Sequence, residues 1–98
     1  MEIKKLEIDG LVIFIPNIFE DNRGYFLETY RLSYLKEAGI MLDFVQENES
    51  LSSMGVIRGL HFQVPPHSQA KLVRVVKGKV IDVAVDLRKN SSTFGKYA

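Results

Sequence analysis

Residues 55–63 read GVIRGLHFQ, a β-prone apolar run that carries one arginine, Arg58, and one histidine, His61. Two prolines follow at 65–66, and a second apolar run opens at Lys71. Polar groups embedded among Val, Ile, Leu and Phe favour a cationic pocket inside a sheet, with one titratable base in it. Such a pocket suits proton abstraction next to a ketone, because cations stabilise the enolate that forms.

The same stretch sets a geometric condition on that pocket. Strict strand alternation places Arg58 and His61 on opposite faces, since they are three residues apart. A β-bulge at Gly59 would re-aim one side chain and let both point inward.

Outward from this stretch, the second half of the chain is predicted to be nearly all strand. Ser/Gly, Pro-Pro and Lys-Gly-Lys segments punctuate four runs rich in β-formers, and this regular spacing favours an antiparallel sandwich or barrel. The predicted strands are residues 44–50, 56–63, 71–77 and 80–87.

The first half mixes strand and helix signals. An apolar run at 11–15 closed by Pro16 predicts a buried strand, and turn residues at 21–24 precede an aromatic strand at 25–30. Leucines at helical spacing predict one short helix over 31–38 that stops at Gly39.

Composition limits the class of protein. A chain of 98 residues forms a single domain, 1–98, and its 46% apolar and 26% charged residues are ordinary globular values. The formal charge of +1 gives no electrostatic case for nucleic acid or an anionic membrane. Cysteine is absent and no apolar run approaches the roughly 18 residues of a spanning helix, so we expect a soluble, cytoplasmic protein.

Each candidate site residue also has a structural interpretation. A lone histidine such as His61 is more often a hydrogen-bonded core or surface residue, and Lys71 could be a solvated strand-end lysine. The polar face formed by Gln46, Asn48 and Ser50 is either the outside of the sheet or a ligand cavity.

The run at 80–88 alternates apolar residues with Asp82, Asp86 and Arg88. The alternation favours a sheet with one wet face, and the competing interpretation puts Asp82 inside a lumen near a cation. The two histidines, His61 and His67, form no His-x-His pair and no glutamate follows Glu49, so we expect no metal site.

Taken in order, these motifs resemble those of the dTDP-4-dehydrorhamnose 3,5-epimerase family. The resemblance covers essentially the whole chain, and several motifs in a fixed order make it specific. The matching segments are FEDNRGYFLE at 19–28, QENES at 46–50, GVIRGLHFQ at 55–63, PP at 65–66, QAKLV at 69–73 and DVAVDLR at 82–88.

The resemblance implies a mainly β, cupin-like antiparallel jelly-roll barrel with one short helix, incomplete at its C-terminus. It also implies a homodimer that needs no metal or other cofactor. Its substrate would be dTDP-4-dehydro-6-deoxy-D-glucose, inverted at C3 and C5 on the route to dTDP-L-rhamnose, a precursor of cell-surface polysaccharide.

Residue roles follow from the same resemblance. His61 matches the catalytic base, and Lys71 matches the residue that stabilises the enolate. The positions that line the family's nucleotide-sugar site are matched by Arg23, Glu28, Gln46, Glu47, Asn48 and Arg58.

The family's acid is a tyrosine on the opposite face of the sugar, and a carboxylate orients its histidine. Both lie in the C-terminal part of the family's sequence, so this chain is expected to be an N-terminal portion. Two alternatives stay open: a fragment that binds a dTDP-sugar without turnover, and a related cupin 3,4-ketoisomerase. The RGLHFQ motif together with Lys71 favours the epimerase over the ketoisomerase.

Overall fold

The computed structural model describes residues 1–98, and its regular elements lie in the first 37 of them. Two antiparallel hairpins precede one helix, and each hairpin is a separate two-stranded sheet. The elements are β1 Glu2–Lys5, β2 Val12–Ile15, β3 Ile18–Asp21, β4 Gly24–Leu27 and α1 Leu32–Glu37.

The first hairpin pairs β1 with β2, with Glu2 opposite Ile15 and Lys5 opposite Val12. Its loop closes through a hydrogen bond from Leu6 N to Leu11 O at 3.0 Å. The polar sequence of β1 did not predict a strand; pairing with the apolar β2 makes it one, because a strand is defined by its neighbour.

The second hairpin turns within two residues, so that Asp21 pairs with Gly24. Asp21 Oδ1 accepts a hydrogen bond from Arg23 N at 2.8 Å, and Gly24 adopts a positive φ of 130° that a side chain would resist. The predicted turn at 21–24 is confirmed. The following strand ends at Leu27 rather than at residue 30.

Helix α1 lies within the predicted range and stops where predicted. Gly39 N donates to Lys36 O at 3.0 Å and Ile40 N donates to Leu35 O at 2.8 Å, while Gly39 has a φ of 84°. This pair of bonds is the Schellman motif, which satisfies carbonyl groups left open at a helix end. The helix buries Leu35, which is 2% exposed.

The four strands predicted over 44–87 do not form, and this part of the prediction is wrong for the structure. Residues 45–83 are exposed throughout and make no ladder, with Val45, Ile57 and Ile81 each more than 90% exposed. A strand forms only where a neighbour pairs its N–H and C=O groups, and here no neighbour does. Without a ladder there is also no β-bulge at Gly59.

The C-terminal residues turn back on themselves. Ala84 and Ala98 exchange two backbone hydrogen bonds of 3.0 Å, and Asp86 N donates to Lys96 O at 2.9 Å. Between them Val85 and Tyr97 form an isolated antiparallel bridge. Residues 90–95 form the tip of this short hairpin.

The predicted class, mainly β with antiparallel sheets and one short helix, is confirmed, although the sheets do not close into a barrel. The apolar core is small, with Ile8, Leu35 and Ala38 as its buried members. No helix combines the length and the apolarity needed to cross a membrane.

Candidate active site

The predicted catalytic pair lies on the extended segment. His61 and Lys71 are both exposed, and neither side chain makes a hydrogen bond or an ion pair in the structure. The structure therefore does not join the two through any contact, and their catalytic roles remain predictions.

A recess beside helix α1 links this segment to the N-terminal half. Leu72, next to Lys71, lines it together with Phe14 of β2 and Leu35 of α1. Six of its eight lining residues are apolar or aromatic, and Thr29 and Arg31 are the other two. The recess brings the start of the Lys71 run next to the residues that follow Glu28.

Glu28 is held by two neighbours on the helical side of this recess. Its Oε2 accepts hydrogen bonds from Arg31 Nη2 at 2.6 Å and from Arg31 Nε at 3.1 Å. The Tyr34 hydroxyl and, after it, the Arg31 guanidinium lower the pKa of Glu28, while Glu28 raises the pKa of Tyr34. Arg31 also stacks 5.3 Å from the Tyr34 ring centre. Glu28 is thus an oriented carboxylate acceptor.

Arg23 sits on the β3–β4 turn and is paired with its own neighbour. Its Nη2 donates to Asp21 Oδ2 at 2.6 Å and its Nε donates to the same oxygen at 3.1 Å. The pairing lowers the pKa of Asp21 and raises the pKa of Arg23. An anionic ligand that uses Arg23 must compete with the Asp21 carboxylate.

Arg58 is oriented by a local loop. Its Nε donates to Ser52 Oγ at 3.0 Å and its Nη2 donates to Leu51 O at 3.2 Å. Both acceptors are neutral, so no carboxylate competes for the guanidinium, and further N–H donors remain for a ligand.

The amide residues of the QENES motif touch each other. Gln46 Nε2 lies 3.5 Å from Asn48 Oδ1, at the outer limit of a hydrogen bond. Side chains two residues apart share one side of an extended backbone, as predicted for this pair. Glu47 between them is exposed.

Charge is distributed unevenly around these residues. The exposed stretch between Glu49 and Asp82 contains no aspartate or glutamate. It carries five cationic side chains: Arg58, Lys71, Arg74, Lys77 and Lys79. A stretch of this composition favours an anionic ligand. No group of three or more His, Cys, Asp or Glu side chains is placed to hold a metal ion.

Sequence reasoning missed one polar cluster. Asp86 was predicted on a wet sheet face, but it is 4% exposed and accepts hydrogen bonds from Arg88, Ser91 and Thr93. Burial of this carboxylate is possible because donors from its own loop replace the hydrogen bonds that water would make. Asp82, in contrast, is exposed. The sequence pattern that indicates this cluster is Asp-x-Arg followed by hydroxyl residues five and seven positions after the aspartate.

Comparison with known proteins gives a consistent result. The sequence profile of the family described as dTDP-4-dehydrorhamnose 3,5-epimerase matches residues 5–98. A protein of that name from Shigella flexneri is 51% identical over 98 residues, which is 99% of this chain and 54% of the relative.

Two further relatives bear the same name. The Methanothermobacter thermautotrophicus protein is 52% identical over 95% of this chain and 50% of its own length. The Escherichia coli K12 protein is 46% identical over 99% of this chain and 53% of its own length. This chain thus spans about half the length of these curated relatives. Since the profile match extends over nearly every residue, the chain belongs to the dTDP-4-dehydrorhamnose 3,5-epimerase family.

Proposed function

We propose that this chain carries the base and the electrophile of a 3,5-epimerase that inverts C3 and C5 of dTDP-4-dehydro-6-deoxy-D-glucose. The observation that carries the proposal is the GVIRGLHFQ run followed by Lys71, in a chain 46–52% identical to proteins named for this activity. The reaction would supply the dTDP-L-rhamnose pathway.

The chemistry needs one base and one cation near the ketone. The 4-keto group acidifies the C–H bonds at C3 and C5, because the electron pair left on carbon delocalises onto O4. His61 takes the proton, since a neutral imidazole is an effective proton acceptor in general base catalysis. The Lys71 ammonium stabilises the charge on O4, and reprotonation from the opposite face inverts the centre.

The nucleotide end of the substrate needs cations and polar side chains. We assign the diphosphate to Arg23 and Arg58, because a planar guanidinium can donate to two phosphate oxygens at once. Glu28 and the three residues Gln46, Glu47 and Asn48 complete the proposed nucleotide-sugar site. The carboxylate-free stretch from 50 to 81 supports this assignment, because no acidic side chain there repels the diphosphate.

The remaining proposals concern domain organisation, oligomeric state, cellular location, cofactors and partners. We propose a single domain over 1–98 that acts as a homodimer in the cytoplasm, without a cofactor and without nucleic-acid or membrane partners. The absence of cysteine supports the cytoplasmic location, and the formal charge of +1 supports the absence of nucleic-acid and membrane partners.

A second candidate is a module that binds the dTDP-sugar without turning it over. One observation favours it: His61 has no carboxylate partner to fix its tautomer and orientation. In addition, no tyrosine of this chain matches the position of the family's acid, and the Tyr34 hydroxyl is engaged with Glu28.

Deuterium uptake by dTDP-4-dehydro-6-deoxy-D-glucose in heavy water, with the purified chain as catalyst, separates the candidates. Deuterium at C3 and C5 with inversion is the result expected of the epimerase. Exchange without inversion would show a working base and no acid on the opposite face. Calorimetric binding of dTDP without any exchange would favour the binding module.

A further inference from the structure

The most completely satisfied polar group in the molecule lies outside the proposed site. The Asp86 side chain is 1% exposed, and both of its oxygens accept hydrogen bonds. Oδ1 accepts from Arg88 N at 3.0 Å and from Arg88 Nε at 2.8 Å. Oδ2 accepts from Arg88 Nη2 at 3.0 Å, Ser91 Oγ at 2.6 Å and Thr93 Oγ1 at 2.7 Å.

All these donors come from the seven residues that follow the carboxylate. The two hydroxyl groups also contact each other at 3.0 Å, and Thr93 N donates to Ser91 Oγ at 3.2 Å. A network this local costs little chain entropy to close, because no long loop must be ordered to form it. The hydrogen bonds to the Asp86 carboxylate therefore hold residues 86–93 in one loop conformation.

The loop is closed at its base by backbone pairing and is tied to the other end of the chain. Gly95 N donates to Asp86 O at 2.8 Å, above the paired Ala84 and Ala98. Lys96 forms an ion pair with Glu7 of the β1–β2 loop. A groove between the two loops is lined by residues 8–11 on one side and 84–88 on the other.

We infer that residues 84–98 form a strap that closes around the Asp86 carboxylate, contacts the β1–β2 loop through the Lys96–Glu7 ion pair, and opens as a cooperative unit of its own. No hydrogen bond joins the strap to the exposed residues 45–83. Its closure therefore does not depend on that segment or on the proposed activity. Units of this kind open and close with their own free energy.

Amide hydrogen exchange on the whole chain tests the strap, with Asp86→Asn as the variant and Asp82→Asn as the control. The control removes an equivalent charge from the same run, but Asp82 is exposed. We expect protected amides at Ala84, Asp86, Gly95 and Ala98 in the unmodified chain and in the control. In Asp86→Asn these amides should exchange roughly tenfold faster or more, because buried donors lose a charged acceptor.

The amides of Leu6 and Leu11 report on the β1–β2 loop and should keep their own exchange rates in Asp86→Asn. Unchanged protection of the strap amides in that variant would overturn the inference. An equal loss of protection in the strap, the hairpin and α1 would also overturn it, because the strap would then not be a separate unit.

Thr93→Val gives a second, milder variant, since it removes one hydroxyl donor and keeps the side-chain shape. It should accelerate exchange of the strap amides, and Thr93→Ser should restore protection.

The contact between the strap and the β1–β2 loop is measured as the distance between spin labels on Asp9→Cys and Lys89→Cys, in a chain without native cysteine. The distance distribution should be narrow, and it should broaden with Asp86→Asn. A distribution already broad before that substitution would show that the strap makes no fixed contact with the β1–β2 loop.

Discussion

Asp86 Oδ1 accepts a hydrogen bond from Arg88 Nε at 2.8 Å, across a pair in which the carboxylate side chain is 1% exposed and the arginine side chain 52% exposed. The pair keeps the carboxylate out of water while the guanidinium remains largely hydrated. Burial of the ionised group is tolerated because every one of its acceptor directions faces a donor. Position along the chain alone does not reveal this relationship, since Asp82 lies in the same alternating run and is exposed.

The closure of the strap around Asp86 should be sensitive to acid. Hydrogen bonds from Arg88, Ser91 and Thr93 lower the pKa of Asp86 below its ordinary value of 3.8. A carboxyl group with a lower pKa in the folded state stabilises that state above the unfolded pKa, and this contribution is lost as the pH falls towards the folded pKa. We therefore expect constant strap protection above pH 3.8 and progressive loss below it. Exchange of the Gly95 amide between pH 2 and 6 measures this, and loss of protection beginning near neutral pH would contradict it.

Removing His61 should slow the proton exchange and leave dTDP binding nearly unchanged. We expect His61→Ala to lower the rate of deuterium incorporation about 10²–10⁴-fold, the usual contribution of a general base. His67→Ala is the matched control, because His67 is also an exposed histidine and lies outside the GVIRGLHFQ run. Affinity for dTDP should stay within a few fold in both variants. Equal loss of dTDP affinity with His61→Ala would make His61 a ligand contact rather than the base.

Removing Lys71 should weaken stabilisation of the enolate. Lys71→Ala is expected to lower turnover about 10²–10³-fold, as loss of an oxyanion donor does. Lys77→Ala, a change of the same charge on the same exposed segment, serves as the control. Steady-state kinetics should show the loss in kcat. Unchanged turnover in Lys71→Ala would remove this residue from the mechanism.

Freeing Arg23 from its carboxylate should strengthen anion binding. Asp21→Asn removes the charge that competes for the guanidinium and keeps an oxygen for the Arg23 N–H, so we expect dTDP to bind several-fold more tightly. Glu20→Gln makes the same charge change one residue away, on a carboxylate that forms no ion pair with Arg23. Titration calorimetry at fixed ionic strength compares the two. An equal gain in both variants would indicate a general charge effect rather than a contact through Arg23.

The helix depends on one side chain. Leu35 is 2% exposed, so Leu35→Ala should lower the free energy of unfolding of the N-terminal part by about 2–3 kcal/mol. Leu32, which is 39% exposed on the same helix, should lose less than about 1 kcal/mol when changed to alanine. Exchange of the Ala38 amide, which donates to Tyr34 O, reports the difference. Similar effects of the two substitutions would mean that Leu35 is not the anchor.

Local features of this fold could be predicted from sequence because near neighbours determine them. The turn at 21–24 needs an acceptor at Asp21 and a positive φ at Gly24, and both are written in adjacent residues. The helix stop needs Gly39 for the same reason. The order of motifs along the chain was likewise sufficient to predict the family.

Strand formation over 44–87 could not be predicted in this way. Alternating residues such as those at 80–87 indicate which face a strand would bury. They do not specify the neighbouring strand that must pair with it, because that strand is distant in sequence. Conversely, the polar run of β1 became a strand because β2 lies beside it. The candidate site shares this dependence, since His61 and Lys71 are ten residues apart and only pairing of their segments would bring them together.

The sequence by itself determined the turn chemistry, the helix and its end, the family, and the residue types available for proton abstraction and anion binding. Only the tertiary structure decided that Asp86 is buried, that Lys96 meets Glu7, and that residues 45–83 stand exposed. The physical reason is the range of the interactions. Backbone conformation follows from adjacent residues, whereas burial and pairing depend on groups that are distant in sequence and meet only when the chain folds.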